Sequence, residues 1–179
     1  MAITTNPLAP MDGPMDSPMD RPMDCPAATC IVLAPGQGKS IQFGPGEHFL
    51  FRATAESTGG QFSLFEVTAQ PVDGPPEHVH RDHDESYFVL EGTFAIKVGE
   101  RCITACPGTY VYISRGTPHT FQNLERRRSR MLVMATPGGI EQYFEDLRPY
   151  MWTSRDAREL QPLHHKHHVE VVGPPLRQA

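Results

Sequence analysis

The chain has 179 residues, with 18 Pro, 15 Gly and a formal net charge of −5. That length suits one domain with tails, and the Pro and Gly content favours short strands joined by tight turns over long helices. The acidic balance argues against a nucleic-acid partner, no apolar run approaches the roughly 20 residues of a membrane span, and no basic-then-apolar leader opens the sequence.

Residues 10–24 repeat Pro-Met-Asp with a fourth, variable residue. Proline at that frequency blocks helix and ladder pairing, so residues 1–27 read as a disordered tail. A barrel is expected over 28–150, followed over 151–179 by a C-terminal helix and docking tail. From Cys30 onward, short apolar or alternating runs are split by turn signals. Strand candidates are Ile31–Leu33, Ser40–Phe43, Phe49–Ala53, Gln61–Ala69, Glu77–His80, Glu85–Leu90, Thr93–Val98, Arg101–Ala105, Tyr110–Ile113, His119–Asn123 and Ser129–Ala135. Connections this short imply an all-β antiparallel sandwich or barrel and leave no room for crossover helices. The basic cluster Glu125–Arg130 reads as a solvated hairpin turn between strands. Ile140, Tyr143, Phe144 and Leu147 share a helical stripe, and Thr153–Leu160 opens with Ser154, a good N-cap. Beyond it, His164, His165, His167 and His168 cluster ahead of an edge-strand candidate, Val169–Val172. Cys25, Cys30, Cys102 and Cys106 lack zinc-knuckle spacing and read as buried or half-buried free thiols. With no leader, they point to a reducing cytoplasm.

The stretch from Gly74 to Glu85 carries the chemistry. On a strand, His78 and His80 share a face with Cα atoms about 6.5–7 Å apart, close enough to converge on one ion. Glu85 lies at an odd offset from them. It faces the histidines only if Arg81–Asp84 forms a turn or bulge that resets the alternation. His119 follows the turn Arg115–Pro118 and opens a strand, with Phe121 and Asn123 expected on its face. Three imidazoles and one carboxylate suit one divalent transition metal (Fe, Mn, Ni, Co, Cu or Zn) and fit Mg or Ca poorly. His83 is expected in the turn, exposed or near the ligands, and Glu77 on the opposite face.

These stretches resemble the two signatures of the cupin superfamily. The first reads Gly74, three residues, His78-Val79-His80, four residues, Glu85, six residues, Gly92. The second reads Gly116, two residues, His119, three residues, Asn123. The first gap is shorter by two than usual, and Ser114 stands where a proline is usual. The flanks Thr58–Leu64, Pro137–Phe144 and Val171–Leu176 look like those of single-domain cupins akin to bacterial quercetin dioxygenases. The resemblance implies a jelly-roll β-barrel, the ligand set His78, His80, Glu85 and His119, and commonly a homodimer.

Of the strand aromatics, Tyr87, Tyr110, Tyr112 and Phe121 are the candidates for substrate contact. Tyr110 and Tyr112 share a face and would be the best polar-tipped contacts if that face is inward. The leading function is a metal-dependent dioxygenase acting on a flavonol-like or other enolisable phenolic small molecule. Glu85 then serves as ligand or as general base. A non-redox isomerase, cyclase or lyase on the same site, and a non-catalytic ligand-binding barrel, are the alternatives.

Overall fold

A computed structural model describes residues 30–43, 47–153 and 157–176. The tail over 1–27, with its Pro-Met-Asp repeat, lies outside the described residues, as does the Ser154 cap. Elements run β1 (Lys39–Phe43), β2 (Glu47–Ala53), α1 (Ala55–Thr58), β3 (Ser63–Ala69), β4 (Pro76–His80), β5 (Asp84–Glu91), β6 (Phe94–Val98), β7 (Arg101–Ala105), β8 (Tyr110–Ile113), β9 (His119–Asn123), β10 (Ser129–Thr136), α2 (Ile140–Leu147), α3 (Tyr150–Thr153), α4 (Ala157–Lys166) and β11 (Val169–Pro175). Two antiparallel sheets form the jelly roll. One has the order β1-β2-β3-β10-β5-β8 and the other β11-β4-β9-β6-β7.

Strand alternation builds the core. Ser63, Phe65, Val67 and Ala69 of β3 turn inward, as do Ser129, Met131, Val133 and Ala135 of β10. From the other sheet, Phe94, Ile96 and Phe121 meet them. Each fully buried aliphatic or aromatic side chain contributes about 1.5–3 kcal/mol. Helix α2 closes one end by driving Phe144 among Phe43, Phe49 and Phe65, with ring centroids 4.7–5.7 Å away. Its buried Glu141 accepts hydrogen bonds from the Ala55 backbone and the Ser63 hydroxyl, which bolts the helix to α1 and β3.

Several expectations shift. Ile31–Leu33 forms no strand and is exposed; β1, the edge of its sheet, pairs only with β2. The turn expected after β2 contains the short helix α1, because Thr54 and Ser57 form a capping box. The later helix begins at Ala157 and runs to Lys166, beyond the Thr153–Leu160 expected. Cys30, Cys102 and Cys106 are free, as expected, but exposed. Among the described residues, no helix is long and apolar enough to cross a membrane.

Asn123, the last residue of the second signature, knits the end of β3 to the β9–β10 turn. Its side-chain amide donates to the carbonyls of Ala69, Gln70 and Arg127, and its oxygen accepts from Glu125 N–H and Ser129 Oγ. Ser129 Oγ would lie 1.9 Å from a Cβ on Gly92, whose φ is +81°. Glycine is therefore required there twice over, by space and by backbone. Asn123→Ala strands this whole buried set. It is expected to cost about 2–4 kcal/mol, read as a lower urea midpoint with unchanged strand signal; a loss under about 1 kcal/mol would contradict the role.

Candidate metal centre

Three strands bring the site together at one end of the barrel. His78 and His80 share a face of β4, as alternation requires, with Nε2 atoms 3.1 Å apart. His119 opens β9 and pairs directly opposite His78. One ring nitrogen from each of the three histidines lies within 4.8 Å of the others.

Glu85 reaches the cluster because the chain breaks between β4 and β5. β4 ends at His80 and β5 starts at Asp84. The intervening turn is pinned at each residue. Gly116 N–H donates to His80 O at 2.8 Å and Arg81 N–H to His168 O at 3.0 Å. His83 Nδ1 donates to Pro137 O at 2.9 Å. Asp84 accepts from Arg115 through the backbone N–H, Nε and Nη2 at 2.8, 3.0 and 2.9 Å. After this break Glu85, Tyr87 and Val89 face inward while Phe88 faces out. Glu85 Oε2 lies 3.1 Å from His119 Nε2, and Oε1 lies 3.7 Å from His80 Nε2.

The donor set fits a divalent transition metal. His80, His119 and Glu85 are 3, 2 and 4 % exposed, and His78 is half-buried. His78 Nδ1 donates to Pro76 O and His119 Nδ1 to Thr117 O, each at 2.9 Å, which turns the Nε2 of each ring towards the cluster. Burial, followed by the charges of His80 and His119, holds His78 well below its usual value. Burial pushes His80 down to about 4 against the pull of Glu85. Burial opposes protonation of His119 too, but the hydrogen bond and charge of Glu85 outweigh it and raise that imidazole. For Glu85, burial works against ionisation, yet His80 and His119 hold it well below the usual carboxylate range. Two neutral imidazoles and an anionic carboxylate thus stand ready at neutral pH, while Glu85 favours the protonated form of His119.

The aromatic candidates separate. Tyr87 and Phe121 are inside, ring centroids 6.1 Å apart, with Tyr87 also 6.2 Å from His119. The Tyr87 hydroxyl donates to Glu85 Oε2 at 2.9 Å, and burial, then the charge of Glu85, raises its pKa so that it stays a donor. Tyr110 and Tyr112 are 60 and 56 % exposed on the outer face, because Val111 and Ile113 take the inward positions of β8. The inward option for that pair is corrected: they do not line this barrel's interior. Tyr143 of α2 was not among the substrate-contact candidates, yet its ring lies 6.4 Å from His80. The helical stripe it belongs to was the available signal. His83 is half-buried with its ring 6.3 Å from His80, and Glu77 points outward to an ion pair with Lys97.

The proton inventory gives a pH test. His78 and His80 are lowered, so they are neutral at pH 6 and lose no proton to an incoming ion. His119 is raised above 6.5, so below its pKa one proton must leave. Metal affinity should therefore weaken by about one decade per pH unit below that pKa and level off above it. Competition titrations from pH 5.5 to 8.5 check this; a fall approaching three decades per unit would show three protonated imidazoles instead.

Comparison with known proteins bears on the family and the fold. The family described as "Cupin domain" matches residues 65–135. The chain is 29% identical over 119 residues to quercetin 2,3-dioxygenase of Bacillus subtilis, covering 62% of this chain and 35% of that protein. It thus spans about a third of that relative's length. The structure of an RmlC-like cupin from Shewanella frigidimarina superposes with a TM-score of 0.54 at 14% identity, over 62% of this chain and 93% of that one. The polyketide cyclase RemF from Streptomyces resistomycificus gives 0.51 at 24% identity, over 59 and 78%. Signature spacing, jelly-roll topology and family match converge: the chain carries a cupin domain over residues 65–135, and its described residues form a jelly-roll barrel of the cupin type.

Proposed function

We propose that the protein is a metal-dependent dioxygenase acting on a flavonol-like or other enolisable phenolic substrate. The observation that carries this reading is the convergence of the Nε2 atoms of His78, His80 and His119 with the Glu85 carboxylate inside a barrel related to a quercetin dioxygenase. A divalent transition metal held by these four groups would supply Lewis-acid polarisation of a substrate oxygen and, if redox-active, an electron relay to O₂. The side chains do the rest. Glu85 contributes one negative charge that offsets part of the ion's charge. His78 is the ligand nearest solvent, so the substrate approaches from its side. Tyr87 and Phe121 wall the interior and exclude water beneath the ligands, and the Tyr143 ring stands nearly perpendicular to His80 at 6.4 Å, an aromatic wall suited to a planar substrate. The homodimer implied by the family resemblance belongs to the same proposal.

A second reading keeps the site and drops the redox chemistry. The same donors hold zinc, and the fold is shared with a polyketide cyclase. Oxygen uptake separates the two. With quercetin or a related flavonol, protein loaded with Fe, Mn, Ni, Co or Cu should consume O₂ in proportion to bound metal. His78→Ala and His119→Ala should lose most of the metal and at least 100-fold of the activity while staying folded. Equal turnover without oxygen, or full turnover with zinc, would establish the non-redox reading.

A further inference from the structure

The two oxygens of Glu85 have different surroundings. Oε1 faces the His80 ring at 3.7 Å, whereas Oε2 accepts the Tyr87 hydroxyl at 2.9 Å beside His119. Glu85 and Tyr87 are alternate inward residues of β5, so the phenol reaches back along its own strand. The Tyr87 ring has little freedom. It is buried, stands edge-on to Phe121 at 89° and packs beside the His119 ring.

A glutamate side chain loses substantial rotamer freedom when it is fixed, and a ligand carboxylate that swings away from its ion weakens binding. A rigid donor on one oxygen removes part of that cost in advance. We infer that Tyr87 is a positioning residue: its hydroxyl holds Glu85 Oε2 so that the carboxylate stays turned towards His78, His80 and His119. Tyr87 acts on the ion through Glu85 and leaves substrate contact to other rings. The inference rests on the metal-centre reading above and adds to it a named partner for one ligand.

The competing role is packing, and Tyr87→Phe separates the two because it keeps the ring and removes only the hydroxyl. Wild type, Tyr87→Phe, Glu85→Ala and the double variant are stripped of metal and checked by thermal melting. Each is then titrated with Co²⁺ against a chromophoric chelator, and the visible absorption of the Co²⁺-loaded protein is recorded. Positioning predicts that Tyr87→Phe binds Co²⁺ about 10–100-fold more weakly, with altered visible bands. In the Glu85→Ala background the same change should cost no more than about 2-fold, since the oxygen it held is gone. An equal loss in both backgrounds would show packing alone and overturn the inference. Affinity and bands unchanged in Tyr87→Phe, with wild type binding normally, would overturn it while leaving the metal centre standing. Failure of wild type to bind Co²⁺ would bring down both.

Discussion

The opposition of His78 and His119 across β4 and β9 is the contact on which the site depends. It places imidazoles from two sheet neighbours at one level, and the two-residue spacing then adds His80. Burying three imidazoles and a carboxylate is unfavourable unless their polar atoms are occupied. The fold meets much of this cost locally. His78 and His119 each bond the carbonyl two residues before themselves, Pro76 and Thr117, through Nδ1. His80 has no such carbonyl, and its Nδ1 is a buried atom without a hydrogen-bond partner among the described residues. An unsatisfied group of this kind costs about 1–3 kcal/mol. Natural interiors hold few of them, and one of them here belongs to a proposed ligand.

The second constraint is the break between β4 and β5. An unbroken strand would send Glu85 to the outer face, because its offset from His80 is odd. The turn resets the parity, and it is pinned from three directions. The β8–β9 turn contributes Gly116 and Arg115, the segment after β10 contributes Pro137, and the chain before β11 contributes His168. The second signature therefore does more than supply His119. Its turn also holds the chain end on which His80 sits, so the two signatures are parts of one hydrogen-bonded unit.

This division explains what could be read in the sequence. Strand parity gave His78 and His80 a common face, and turn punctuation placed β4 to β10 within one or two residues of their observed limits, because alternation and Gly/Pro signals are local. The orientation of Glu85 was legible only as a condition, since the reset depends on Arg115 and Pro137, more than 25 residues away. Tyr110 and Tyr112 show the limit of parity reasoning. Alternation fixes that they share a face, but sheet packing decides which face is buried, and Val111 and Ile113 win that place. The approach of Tyr143 to His80 is hidden from the sequence for a related reason. A helical stripe announces burial without saying which strand it will cover.

The C-terminal histidines find their role in the same physics. In the structure His167 Nε2 lies 2.8 Å from Asp146 Oδ2, which also accepts Lys166 Nζ at 2.7 Å, and His168 Nδ1 lies 2.6 Å from Asp82 Oδ2. Arg81 adds a bidentate pair with Glu170 of β11. These contacts join α4 to α2, and β11 to the turn between β4 and β5, while β11 pairs with β4 opposite both His78 and His80. Without β11, the strand that carries two of the proposed ligands would be a sheet edge, free on one side to fray or to pair elsewhere. Exposed ion pairs contribute little to stability individually. Their value here is positional: they hold a strand against β4 and so keep the backbone of two proposed ligands from drifting.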